Sequence, residues 1–149
     1  MPISTVEEQA LSSLAARLMQ ESAPQAWNKQ IHCAGWYVKD LSNTVMIADW
    51  NEEDFKKQGT MNFWHSNEVK KQKKPFEVDY CGFGFTKVST DILKELEYPY
   101  FRQKMVKIGK YKENVSEDAT FCLDVKDKLG IKPMILPQLK IGHLKELYI

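Results

Sequence analysis

Apolar residues at Val6, Ala10, Leu11, Leu14, Ala15 and Leu18 recur at a helical period, and Thr5 precedes Glu8 in the spacing of a capping box. The pattern predicts an amphipathic helix that stops before Pro24. From Ile31 to Val38 the chain is almost continuously apolar, which predicts a buried strand, and "NTVMIADW" at 43–50 predicts a shorter one. The pattern then weakens as far as Pro75. The aromatics Trp50, Phe55, Phe63 and Trp64 are scattered through polar residues, which reads as a long loop folded over something.

Phe76, Val78 and Tyr80 alternate as a half-buried strand, Gly82 and Gly84 bracket Phe83 at a turn, and Phe85 and Val88 continue extended. Thr90 opens a helix carrying Ile92, Leu93 and Leu96. The basic, polar stretch 101–115, broken by Gly109, reads as a loop. A helix follows from Glu117 to Leu129 with Gly130 as its C-cap, then a strand at "KPMIL", 132–136. Alternating helices and strands predict an α/β fold, a mixed sheet flanked by helices, with residues 1–149 as one domain.

The helix at 117–129 carries the first candidate chemistry. At 100° per residue, Asp118 falls on the stripe of Cys122, Val125 and Leu129, whereas Glu117 sits on the flank. Ser116 is a good N-cap, and acids in a first turn are stabilised by the helix dipole, which accounts for Glu117. An acid at the centre of the inward face is also where a general base would reach a cleft, so for Asp118 both readings stand. His143 is equally a structural or exposed histidine or a metal ligand. Gly82 and Gly84 are equally a hairpin turn or a close approach of backbone to ligand.

Composition narrows the classes. With 43% hydrophobic and 28% charged residues, the chain has the makeup of a globular protein. A formal net charge of +1 supplies no general attraction to nucleic acid or anionic membrane. The lysine run "KKQKK" at 70–74 has no interleaved aromatics and reads as a solvated loop, so no nucleic-acid partner is expected. No apolar run approaches a membrane span and the start lacks the order of a signal peptide, which together point to a cytoplasmic location. Cys33, Cys81 and Cys122 are odd in number and far apart in apolar settings, which predicts reduced core thiols; the sequon at Asn114 carries little weight without secretion.

In order along the chain, "CGFGFTKVSTDILKELEYPYF" and "SEDATFCLDVKDKLGIKPMILPQLKIGH" resemble the second half of nucleotide-sugar glycosyltransferases of the GT-A fold, especially glycosyltransferase family 2. The resemblance runs from about Ile31 to Leu144, and the block from the Glu117–Asp118 pair to Gly142–His143 is its most specific part. It implies transfer of a sugar from a nucleotide-diphosphate donor to a glycan or other hydroxyl acceptor. Asp118 would be the general base, Glu117 its support, and His143 a ligand of a divalent Mn²⁺ or Mg²⁺ ion. Gly82, Phe83 and Gly84 would line the substrate pocket, with Trp36 and Tyr37 nearby. The family's metal-binding D-x-D occurs nowhere in these 149 residues. The resemblance therefore implies the acceptor-side half alone, either a fragment whose missing half supplies the nucleotide site or a stand-alone half that associates with another chain. The competing reading is a non-catalytic α/β module that binds a glycan or a protein.

Overall fold

A computed structural model describes residues 32–144, so the helix expected near the N-terminus lies outside the described residues. The elements in chain order are β1 (His32–Trp36), β2 (Thr44–Asp49), α1 (Glu52–Gln58), β3 (Asn62–His65), α2 (Ser66–Lys71), β4 (Phe76–Glu77), β5 (Tyr80–Cys81), β6 (Thr86–Val88), α3 (Thr90–Glu95), β7 (Lys104–Ile108), β8 (Tyr111–Val115), α4 (Glu117–Leu129) and β9 (Met134–Lys140). The fold is mixed α/β. A four-stranded sheet has the order β4-β9-β1-β6, with β1 parallel to β9 and antiparallel to β6. A three-stranded antiparallel sheet has the order β3-β2-β5, and β7 and β8 form a separate hairpin.

The unbroken apolar run of β1 has a direct cause. Cys33 packs with Met134, Leu136 and Leu139 on one side, while Ala34 and Trp36 join Val45, Ile47 and Ile135 on the other. Both faces are buried, so no alternation is needed. Gly35 lies where an added Cβ would come within 2.9 Å of the Leu139 carbonyl, so no larger side chain fits there.

Three expectations change. The stretch 51–75 is not one long loop but α1, β3 and α2. Each helix has only two turns or fewer and buries one or two side chains, Phe55 in α1 and Ser66 and Val69 in α2, too few for a period to show. Its aromatics cover the protein's own core: Trp64 stacks on Phe76 at 4.7 Å and donates from Nε1 to Asp49. Lys70 and Lys71 of the lysine run form the end of α2, with Lys73 and Lys74 exposed beyond it.

The stretch 101–115 is likewise a hairpin, closed by Gly109 at φ 60° and Lys110. A positive φ at the first turn residue matches the twist of a two-residue hairpin loop, which favours glycine there. Only one face of this ribbon is half-buried, and lysines on the other face obscure its alternation. Finally, the alternating run at 76–80 is two short strands, because the chain leaves the large sheet at β4 and enters the small one at β5.

Candidate functional site

Helix α4 runs as the sequence predicts, and Gly130 closes it at φ 68° with its N–H on the Lys126 carbonyl. It buries Thr120, Phe121, Cys122 and Val125 against β1, β5 and α3, which fixes the position of its first turn. Ser116 stands at the N-cap with extended backbone, yet its hydroxyl caps no backbone N–H. It donates to Asp118 Oδ1 at 2.5 Å, and the same oxygen accepts the Ala119 N–H at 2.8 Å. Asp118 Oδ2 accepts the Tyr80 hydroxyl at 3.0 Å. The Asp118 carboxylate is thus held by three donors and tied to strand β5.

Asp118, Glu117 and Ser116 form one wall of a cleft of about 530 Å³ whose other walls are Met46, Tyr80, Phe83 and Phe101. Burial, then the adjacent Asp118 charge and hydrogen bond, push the Tyr80 hydroxyl far above its ordinary range, so it stays a protonated donor. Glu117 is exposed at the rim, as its place on the helix flank implies.

The glycine pair has a specific cause. A Cβ on Gly82 would come within 2.1 Å of the Tyr37 hydroxyl oxygen, and one on Gly84 within 2.5 Å of the Tyr37 ring. The backbone approach permitted by these glycines is therefore to a side chain of the same protein. Phe83 between them turns into the aromatic cluster, 5.4 Å from Phe121 and 5.7 Å from Phe101. Burial raises the Tyr37 hydroxyl pKa, the Asp118 charge raises it further, and a hydrogen bond from the Gly84 backbone opposes both. The other side of Tyr37 meets His143, ring to ring at 4.9 Å.

Among the residues singled out by sequence, Asp118, Glu117, Phe83, Gly82, Gly84, Tyr37 and His143 are drawn into one neighbourhood through Tyr80 and Tyr37. Trp36 is not. It is 2% exposed in the core and its Nε1 donates to the Pro137 carbonyl at 2.8 Å. Alternation along β1 separates it from Tyr37, since neighbouring side chains point to opposite faces. Sequence alone marks none of Tyr80, Met46 and Phe101 as site residues, and marks Ser116 only as a cap. Pairing of β5 with β2 sets Met46 and Tyr80, and stacking on Phe121 sets Phe101; no local motif signals either.

Among the described residues, His143 has no carboxylate partners with which to form a group of metal ligands. Hard cations take several oxygen ligands, and His143 belongs to no group of three ligand-bearing side chains among the described residues. The one such group among the described residues is His32, Cys81 and Cys122, whose donor atoms lie within 4.8 Å of one another. It is fully buried, and its nitrogen and sulfur donors suit softer ions. Hydrogen bonding to Cys122 and burial raise the Cys81 thiol, and burial lowers His32 to about 4, so His32 and Cys81 are neutral near pH 7. This is the core-thiol character that the sequence predicts for these cysteines.

Comparison with protein-family models, with curated proteins and with solved structures finds no match. No helix among the described residues is long and apolar enough to cross a membrane.

Proposed function

We propose that this chain is the acceptor-side part of a nucleotide-sugar glycosyltransferase, with Asp118 as the general base. The observation that carries this reading is the setting of the Asp118 carboxylate. A carboxylate offers about four acceptor positions. Ser116 and the Ala119 N–H take those of Oδ1, and Tyr80 takes one of Oδ2, which leaves one acceptor position of Oδ2 beside the cleft. The three bonds fix the rotamer without exhausting the base. An acceptor hydroxyl seated in the cleft would give its proton to Oδ2 as its oxygen bonds to the anomeric carbon, while the bond from that carbon to the nucleotide diphosphate breaks. Positioned bases of this kind contribute about 10² to 10⁴-fold.

The order of residues along the chain supports the same assignment, since the pieces of the glycosyltransferase resemblance meet around Tyr80 and Tyr37. The donor and its diphosphate would be held by a nucleotide-binding half that carries D-x-D, which this chain lacks. The test is Asp118→Asn in the enzyme completed by that half, assayed with UDP- and GDP-sugars. Loss of turnover with an unchanged Tm supports the base. Unchanged turnover, or an absence of transfer by the wild type with every donor, returns the chain to a glycan- or protein-binding module.

A further inference from the structure

A second cavity, of about 310 Å³, shares Tyr80 and Ser116 with the Asp118 cleft. Its walls come from elements far apart in sequence: Trp50 and Phe55 beside α1, Phe63 on β3, Val106 and Ile108 on the β7–β8 hairpin, and Leu123 on α4. The aromatics are arranged as walls rather than as a stack. Trp50 lies 5.1 Å from Phe55, and Phe63 meets Tyr80 edge to face at 6.1 Å.

Most polar groups at this cavity are already engaged. Asp79 takes Lys126 at 2.8 Å, Lys132 at 3.0 Å and the Trp50 N–H at 2.8 Å, and Asn114 donates to Gln103. Glu113 is different. It lies on the half-buried face of β8 with Tyr111 and Val115, opposite Val106, and its carboxylate has no hydrogen-bond or ion-pair partner among the described residues. A concave, mainly apolar cavity with a free carboxylate has the composition of a small-molecule site. Its volume suits one flat ring system rather than a chain of sugars.

We propose that this cavity is a subsite for an aromatic ring bearing a hydrogen-bond donor, carried by the acceptor next to the hydroxyl that Asp118 serves. The link to Asp118 rests on the transferase reading, whereas the cavity's preference for an arene does not. The ring packs among Trp50, Phe55, Phe63 and Tyr80, its donor meets Glu113, and the shared wall at Tyr80 and Ser116 sets the distance to the base.

The test is a binding titration of the full chain with hydroxylated 2-naphthyl glucoside, and with methyl glucoside as the sugar-only probe, followed by ligand NMR. The naphthyl probe is expected to bind at least about tenfold more tightly, from burial of its ring. Filling the cavity by Leu123→Trp should weaken it by about tenfold or more, and Ile108→Trp on the surface hairpin should do the same without touching the core. Glu113→Gln should weaken it by about three- to tenfold. Equal binding of the two glucosides, or full binding by Ile108→Trp, overturns the subsite. Arene binding lost in Ile108→Trp, in an enzyme that transfers no sugar, keeps the subsite and sinks the transferase reading. Equal transfer to both glucosides does the reverse.

Discussion

Two helices of this protein begin with nearly the same sequence and use it differently. Helix α1 starts "NEEDF" and α4 starts "SEDATF", each with a capping residue followed by acids. In α1 the Asn51 side chain accepts the Asp54 N–H at 3.0 Å, Glu52 and Glu53 pair with Lys56, and the exposed first turn is accounted for by local rules. In α4 the Ser116 hydroxyl turns away from the backbone and onto Asp118, which in turn is held by Tyr80 from strand β5. The difference lies in what each helix packs against. Glu52 and Glu53 of α1 face solvent, whereas Asp118 is held at the edge of a cleft, where a carboxylate can serve another molecule.

The sharpest test of this contrast exchanges one acid in each helix. If the proposed transferase reading holds, Asp118→Asn in the enzyme completed by its nucleotide-binding half is expected to lower sugar transfer by about 10² to 10⁴-fold, and Glu53→Gln to leave it unchanged. Equal losses would remove the distinction. The ground beneath α4 should also respond to pH in a way that α1 cannot. His32, packed edge to face against Phe121 at 5.5 Å, has its pKa lowered by burial from 6.5 to about 4. Between those values the unfolded chain binds the proton and the folded chain does not, so stability rises with pH through that window and is lost as pH falls through it. The contribution is on the order of 3 kcal/mol. Urea unfolding of wild type and His32→Phe at pH 7 and pH 4.5 should show a smaller pH effect in the variant.

Gly82→Ala would drive a methyl group into the Tyr37 hydroxyl, and overpacking of this kind costs about 1 to 3 kcal/mol. Its Tm should recover in the double variant with Tyr37→Phe, which removes the atom in conflict. At the smaller end, Asn51→Ala should cost about 1 kcal/mol in urea unfolding with transfer unchanged. Ser116→Ala should cost about 0.5 kcal/mol or less, because that hydroxyl caps no backbone group, and should instead alter the pH profile of transfer.

Local sequence was most informative where one short segment contains the whole physical cause. The α4 helix, its Gly130 cap, the doubly buried β1 and the three buried free cysteines were all legible, as was the inward placement of Asp118. The β7–β8 hairpin, α1 and α2 were not, because each buries too little of one face to leave a period. Trp36 and Tyr37 show the same limit at a single residue step: adjacent aromatics look alike in sequence, but the strand pleat sends one to the core and the other to the glycines.

Sequence by itself determined that Asp118 lies on the inner stripe of its helix, since that follows from a rotation of 100° per residue. Tertiary structure alone decided that Tyr80 would hold that carboxylate, that Tyr37 would fill the space left by Gly82 and Gly84, and that an aromatic cavity would open on the other elements around Tyr80. These are contacts between residues up to tens of positions apart. They depend on which strands pair and which faces meet, and a local period carries no record of that.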